Sequence, residues 1–122
     1  MEHSPGFLTL VNEARPYVKE LTVEQSRDRL AQNPDAVLMD VREDDEWHAQ
    51  HAAQAVHLSK GVLERDLEGM YPDPDTEIIM YCGGGYRSVL TAAVAQQMGY
   101  HNVFSLIGGY KALLAAKWPM KS

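Results

Sequence analysis

Four short apolar runs, separated by segments with helical periodicity, constrain the fold of this chain more than any other feature. The runs are AVLMDV (36–41), AVHL (55–58), EIIMY (77–81) and NVFSLI (102–107). Continuous apolar runs of this length are typical of strands buried on both faces, and EIIMY is the clearest example. Strands that alternate with helices predict an α/β domain whose mostly parallel sheet carries helices on both faces.

The segments between the runs carry the spacing and the end signals of helices. Ser4 and Pro5 are typical of an N-cap and a first helical position, and Thr22 with Gln25 forms a capping box. Gly99 suits the position after a helix end, where the left-handed conformation favours glycine. The predicted helices are one that ends near Pro16, one from Thr22 to about Ala31, one over 61–70, one through Val89 to Met98 and one over 109–117. The polar segment 42–51 is predicted as a loop or a short helical turn.

The composition fits one small domain and argues against several classes of protein. The chain has 122 residues, of which 45% are hydrophobic and 23% charged, enough for a single core. The net charge of −6 argues against nucleic acid as a partner, because phosphate binding needs a clustered basic face. No apolar run approaches the ~20 residues that span a bilayer, and the first residues lack a signal-peptide pattern. We therefore expect a cytoplasmic protein without a nucleic-acid or membrane partner.

The one cysteine of the chain, Cys82, directly follows EIIMY and precedes GGGYRS. Ligands of open parallel sheets lie outside the carboxyl ends of the strands, which is where this cysteine is placed. A single cysteine excludes an internal disulfide, so a second thiol must come from a substrate or a partner. His48, His51 and His57 have no cysteine near them in sequence, and we predict neither a metal site nor a cofactor.

The glycines after Cys82 predict a cradle for an anion. They let the loop fold tightly, with successive N–H groups pointing inward, and the next helix adds its own free N–H groups. Both effects favour the thiolate, which is the nucleophilic form of cysteine. Two reactions fit: transfer of a sulfur atom through a persulfide, and transfer of an oxyanion group such as phosphate. A buried, inert cysteine beside a plain turn is the alternative.

Five segments in this order resemble the rhodanese-like (thiosulfate sulfurtransferase) family. They are LMDVRE (38–43), EW (46–47) with His51 and Ala55, HLSKGVLE (57–64), IIMYCGGGYRS (78–88) and MGYHNVFSLIGGY (98–110). The resemblance implies the three-layer α/β sandwich of that family, with a central, mostly parallel sheet of five strands. Residues 1–20 lie outside it and are interpreted as an accessory helix, and 21–122 as the rhodanese-like domain. Gly83 stands where some relatives carry a cation, which argues against efficient thiosulfate turnover.

The resemblance also implies a function, that of a rhodanese-type sulfurtransferase. Such an enzyme moves a sulfane sulfur from a small anionic donor such as thiosulfate to cyanide or a thiol, through a persulfide on Cys82. The loop from Cys82 to Arg87 has six residues, the length found in the family's sulfurtransferases. Related phosphatases and arsenate reductases of this fold use a longer loop. The alternatives are a persulfide carrier that serves a protein acceptor and, less favoured, a phosphatase or arsenate reductase.

The loop residues after Cys82 are the candidates for binding the substrate or the persulfide. They are Gly83, Gly84, Gly85, Tyr86, Arg87 and Ser88. Arg87 has two interpretations, since it either binds the sulfonate end of the donor or holds the loop through an ion pair. Tyr86 is expected to point from the loop toward solvent, where it either shapes the choice of acceptor or has a neutral surface role. Ser88 is expected to cap the helix, with donation to the persulfide as the alternative.

Three residues elsewhere are weaker candidates for supporting the site. Asp40 and Arg42 flank a strand end and are expected to tie loops together. Glu64 either faces the pocket or is a solvated helix carboxylate. His51 is expected to hydrogen-bond the backbone, and Trp47 to pack against the sheet edge.

Overall fold

The computed structural model describes residues 3–122. The strands of this part of the chain are β1 (Lys19–Leu21), β2 (Val37–Asp40), β3 (His51–Ala52), β4 (Val56–His57), β5 (Ile78–Tyr81), β6 (Val103–Leu106) and β7 (Met120–Lys121). Five of them form a parallel sheet in the order β1-β6-β5-β2-β4. The other two, β3 and β7, pair as a small antiparallel ribbon. The predicted α/β fold with a five-stranded parallel sheet is confirmed.

Six α-helices surround the sheet in the described part of the chain. They are α1 (Pro5–Ala14), α2 (Val23–Gln32), α3 (Asp44–Ala49), α4 (Leu63–Met70), α5 (Arg87–Gln97) and α6 (Gly109–Ala115). Short 3-10 turns precede β1 and α4. The predicted caps are present, because Ser4 Oγ accepts a hydrogen bond from the Phe7 amide and Thr22 and Gln25 form a capping box. Within residues 3–122, no helix is long and apolar enough to cross a membrane.

The alternation of side chains along β5 divides the core into two layers. Ile78 and Met80 face one side, where they join a cluster with residues of α4 and α5. Ile79 and Tyr81 face the other side, where the cluster includes Leu113 of α6. All four residues of β5 are inaccessible to solvent because the strand lies at the centre of the sheet. This central position brings the residue after Tyr81 to the middle of the carboxyl edge.

Several elements differ from the prediction, among them the ribbon strands β3 and β7, which were not predicted. The strand β1 has the sequence KEL, too short and polar to be recognised as a strand, and it pairs with β6 at the edge of the sheet. The expected boundary between residues 20 and 21 therefore falls inside an edge strand of the central sheet. The polar segment 42–51, predicted as a loop or a short helical turn, contains the six-residue helix α3. Glu43 and Glu46 form a capping box at the N-terminus of this helix.

Candidate active site

Cys82 begins the loop that joins the central strand β5 to helix α5. Only 1% of the residue is exposed. The loop turns sharply at Gly85, whose φ of 94° lies in the left-handed region that favours glycine. A Cβ at Gly85 would also meet the amide nitrogen of Gly108 at 2.9 Å. The third glycine of the run is thus required by both backbone conformation and close packing.

The sulfur of Cys82 accepts hydrogen bonds from the loop, as the sequence predicted for a cradle. The amide nitrogens of Gly85 and Ser88 lie 3.2 and 3.3 Å from Sγ. The Ser88 hydroxyl lies 3.5 Å from Sγ, and 2.7 Å from the hydroxyl of Ser105 on β6. Donors around a sulfur favour its anionic form. The expectation that Ser88 caps the helix is wrong, since Tyr86 occupies the N-cap position and the Ser88 side chain turns back to Cys82.

Arg87 is held by Glu46 of α3. Its two terminal nitrogens lie 2.8 and 3.2 Å from the two carboxylate oxygens. The hydrogen bond from Arg87 lowers the pKa of Glu46 below its ordinary value and raises that of Arg87 itself. Of the two interpretations of Arg87, the structure shows the ion pair that holds the loop. Glu46 was missed as a site residue, although the EW motif at 46–47 marked its position.

The N-terminus of α6 packs against the cysteine loop and donates hydrogen bonds to it. The amides of Tyr110 and Lys111 donate to the carbonyl oxygens of Cys82 (2.7 Å) and Gly83 (3.2 Å). Gly109 approaches so closely that a Cβ there would lie 2.3 Å from the Cys82 carbonyl oxygen. The GGY motif of the sequence therefore serves to bring α6 against the loop.

A cleft of about 980 Å³ opens above the loop. Cys82, Gly83 and Gly84 line it, together with residues of α1 and α6. The Tyr86 ring packs against Phe7 of α1, with ring centroids 6.5 Å apart, and against His3 just before that helix, with centroids 4.3 Å apart. The ring is half-buried, because Phe7 of α1 covers part of it, and it faces the open cleft.

Asp40 and Arg42 form a buried ion pair outside the cleft lining. The Arg42 guanidinium donates to both oxygens of Asp40 at 2.8–3.1 Å and to the Gln50 carbonyl at 2.7 Å. The pair thus joins the end of β2 to the end of α3. Glu64 is exposed on α4 and does not line the cleft, so of its two interpretations the structure shows the solvated helix carboxylate.

The histidines of the α3 region make backbone and aromatic contacts. His51 Nδ1 lies 2.8 Å from the Trp47 carbonyl oxygen, as predicted. The Trp47 ring stacks on His51 and on His57 of the edge strand β4. Within residues 3–122, no three His, Cys, Asp or Glu side chains are grouped so that they could hold a metal ion.

Comparison with known proteins identifies the fold family. The family model of the rhodanese-like domain matches residues 22–116. The chain belongs to the rhodanese-like domain family. A thiosulfate sulfurtransferase GlpE of Actinobacillus succinogenes is 34% identical over 103 residues, covering 84% of this chain and 90% of the relative. A GlpE of Coxiella burnetii is 34% identical over 82 residues, covering 67% of this chain and 75% of the relative. These relatives bear out the prediction of a rhodanese-type sulfurtransferase.

Two solved structures share the architecture over nearly the whole of this chain. The polysulfide-sulfur transferase homodimer of Wolinella succinogenes superposes with a TM-score of 0.80 at 25% identity, covering 95% of this chain and 87% of that one. A Rhodopseudomonas palustris protein of unknown function, described as a possible tyrosine phosphatase, has a TM-score of 0.81 at 27% identity. That match covers 99% of this chain and 98% of the other, so the likeness includes the region of α1.

Proposed function

We propose that this protein is a sulfurtransferase that carries a sulfane sulfur as a persulfide on Cys82. The observation that carries the proposal is the set of donors around Sγ at the floor of an open cleft. A thiolate held by preorganised donors needs no reorganisation when it reacts. The proposal requires neither a metal nor an organic cofactor.

The reaction consists of two displacements at sulfur. The Cys82 thiolate attacks the outer sulfur of a donor such as thiosulfate, and the S–S bond of the donor breaks. Sulfite leaves with the electron pair of that bond, and Cys82 holds the additional sulfur. An acceptor thiolate or cyanide then attacks the outer sulfur, which releases a persulfide or thiocyanate and restores the Cys82 thiolate.

Further amides of the loop are available to the second sulfur. Within residues 3–122, the N–H groups of Gly83, Gly84, Tyr86 and Arg87 donate no hydrogen bond to other protein atoms. They belong to the same loop as the two amides that bind Sγ, and the outer sulfur of a persulfide extends Cys82 into the cleft. We assign these amides to stabilisation of the charge on that sulfur, an effect of a few kcal/mol for one well-placed donor.

The arrangement of Arg87 favours sulfur transfer over phosphate transfer. Phosphate binding uses the fork of an arginine, whose parallel N–H groups match two oxygens of the anion. Here Glu46 accepts one N–H from each terminal nitrogen of Arg87 and neutralises its charge, so the guanidinium attracts a phosphate dianion less strongly. A persulfide carrier that serves a protein acceptor uses the same chemistry at Cys82 and differs only in the second displacement.

The test is the intact mass of the protein before and after incubation with thiosulfate. We expect the mass to increase by one sulfur atom, and cyanide or a reductant to remove the gain. Because Cys82 is the one cysteine, Cys82→Ser must show no gain while its circular dichroism spectrum stays that of the wild type. An equal gain in Cys82→Ser, or no gain in the wild type, contradicts the proposal. Hydrolysis of an aryl phosphate that depends on Cys82 supports a phosphatase instead.

A further inference from the structure

Helix α1 lies outside the residues that match the family model, yet it forms one wall of the Cys82 cleft. His3 and Phe7 line the cleft beside Tyr86. The three rings form one aromatic group, with centroids 4.3 Å apart for His3 and Tyr86 and 6.5 Å apart for Phe7 and Tyr86. The guanidinium of Arg15, just after α1, lies over the Tyr86 ring, 5.8 Å from its centroid. These rings together form an aromatic wall of the cleft.

The cleft is much larger than the sulfur donor considered above. A thiosulfate ion occupies on the order of 100 Å³, a few times the share of one water molecule. The cleft volume of about 980 Å³ falls in the range of pockets that hold drug-sized ligands. A small donor at Cys82 leaves most of this space empty. The aromatic wall and the remaining volume therefore suit the acceptor, which enters after the donor has left.

The cleft lining also includes a cationic group on α6. The Lys111 side chain lines the cleft and, among residues 3–122, has no salt-bridge partner. The other cation of the lining, Arg87, is neutralised by Glu46. A ligand that suits both features of the lining has a flat apolar body for the aromatic rings and an anionic group for the lysine.

We propose that the cleft selects an aromatic thiol bearing a carboxylate as sulfur acceptor, and that Phe7 and Lys111 determine this selectivity. This inference rests on the proposed function for its second displacement, but binding of the acceptor class can be tested without it. The non-thiol analogue para-hydroxyphenylacetate should protect Cys82 from alkylation by iodoacetamide, followed by intact mass. We expect Phe7→Ala to weaken this protection about fivefold to tenfold. Lys111→Gln should weaken it about twofold to fivefold, more at low salt.

Leu10→Ala is the matched control, because Leu10 lies on the same helix, is 57% exposed and does not line the cleft. It should leave the protection unchanged. Absence of protection in the wild type, or equal protection in Phe7→Ala, overturns the inference. With persulfide-loaded protein, the ratio of discharge rates for para-mercaptophenylacetate and mercaptoethanol should fall in Phe7→Ala. If the protein does not form the persulfide, only the proposed function is contradicted. The inference about the acceptor remains testable, because the alkylation measurement does not need a persulfide on Cys82.

A second inference concerns the hydroxyl of Ser105, which is fully buried on β6. Its one hydrogen-bond partner within residues 3–122 is the Ser88 hydroxyl, at 2.7 Å. Ser88 in turn lies 3.5 Å from the Cys82 sulfur. Each hydroxyl has one proton to donate. If Ser88 donated to Ser105, the Ser105 proton would be buried without an acceptor, at a free-energy cost.

The opposite direction satisfies both protons. Ser105 donates to Ser88, and Ser88 donates to Cys82. We infer that Ser105 is a positioning residue, which turns the Ser88 hydroxyl toward the sulfur as a third donor beside the two amides. Its effect on Cys82 must therefore pass through Ser88. The serine in the run NVFSLI was the sequence signal for this role, since it is a polar residue inside an otherwise apolar strand.

The test is the pH profile of Cys82 alkylation in a double-mutant cycle. We expect Ser105→Ala to move the midpoint of the alkylation profile up by about half a pH unit to one pH unit, which corresponds to the free energy of one hydrogen bond. Ser88→Ala should move it likewise, and the double variant should equal Ser88→Ala. A wild-type profile in Ser105→Ala, or an added shift in the double variant, overturns the inference.

Two further variants separate positioning from a general structural effect. Thr91→Ala removes another buried hydroxyl of α5, which bonds the Ser88 carbonyl at 3.1 Å, and should leave the profile unchanged. Ser105→Thr keeps the hydroxyl and should restore the profile. If Thr91→Ala moves the midpoint as far as Ser105→Ala, the effect is structural and the positioning role is refuted.

Discussion

The ion pair between Arg87 and Glu46 provides a quantitative test of what the arginine does. If Arg87 acts by holding the loop against α3, removal of either partner must have the same consequence. Glu46→Gln removes the charge and keeps the shape of the side chain, and Arg87→Met removes the guanidinium and keeps its apolar stem. The double variant then reports whether the two side chains work as one unit.

The expected magnitude follows from the geometry and the exposure of the pair. Two charge-assisted contacts of 2.8 and 3.2 Å would contribute about 1.5–3 kcal/mol in a buried site. The side chains are 27% and 35% exposed, so solvent screening reduces this contribution to about 1 kcal/mol. For a domain of this size the loss lowers the melting temperature by about 4 °C. We expect the rate of persulfide formation to fall about fivefold in each single variant and no further in the double variant.

The assay combines urea unfolding with the rate of sulfur gain measured by intact mass. One result would refute the reasoning: a rate of persulfide formation that falls about 100-fold in Arg87→Met and stays near that of the wild type in Glu46→Gln. Such a difference would show that Arg87 contacts the donor directly. Additive losses in the double variant would likewise show two independent roles.

The same pair predicts a pH dependence of stability. Because Arg87 lowers the pKa of folded Glu46, the carboxylate contributes stability above its ordinary value of 4.5. That contribution is lost as the pH falls through the lowered pKa of the folded state. Glu46→Gln should therefore lose less stability than the wild type on acidification below about pH 4. The free energy of unfolding is measured by urea unfolding at several pH values. An equal decrease on acidification in the wild type and in Glu46→Gln would contradict this expectation.

Three further predictions concern the frame of the site, each measured by urea unfolding. Arg42→Ala leaves a buried carboxylate without its partner and should cost about 3–5 kcal/mol; Arg65→Ala breaks an exposed pair and should leave the midpoint unchanged. Gly109→Ala should cost about 2 kcal/mol or more, because its Cβ collides with the cysteine loop at a φ of 53°, whereas Gly69→Ala has open space and should stabilise by about 0.5–1 kcal/mol. Burial raises the pKa of Tyr81, so stability should fall above about pH 10, and less steeply in Tyr81→Phe. Equal changes in stability for Arg42→Ala and Arg65→Ala, or for Gly109→Ala and Gly69→Ala, would contradict the first two predictions. An equal loss of stability with rising pH in the wild type and Tyr81→Phe would contradict the third.

Much of the fold could be predicted because burial and caps leave local signals. The run EIIMY became β5 at the centre of the sheet, and Thr22 with Gln25 capped α2 as expected. The strand β1 could not be predicted, since KEL has the composition of a surface segment and becomes a strand only by pairing with β6. Helix α3 was ambiguous for a related reason, because its acidic first turn resembles a loop until Glu43 and Glu46 close the cap.

In the candidate site, the sequence predicted the cradle and the structure assigned the partners. Cys82 after a buried strand, three glycines and a following helix were sufficient to predict amides around the sulfur. The direction of the Ser88 side chain was not predictable, since a rotamer near a helix start depends on what lies opposite. Glu46 lies 41 residues from Arg87 along the chain, and no local pattern connects them.

The sequence by itself determined the parallel sheet, the place of the one cysteine at its carboxyl edge and the loop that exposes amides to it. These features depend on residues close together in the chain, whose spacing sets backbone conformation directly. Only the tertiary structure decided that Arg87 binds Glu46, that the Ser105 hydroxyl hydrogen-bonds that of Ser88 and that Phe7 of α1 lines the cleft. Such contacts join segments distant in sequence. They arise from the packing of whole elements on the sheet, which brings their side chains together only once the chain has folded.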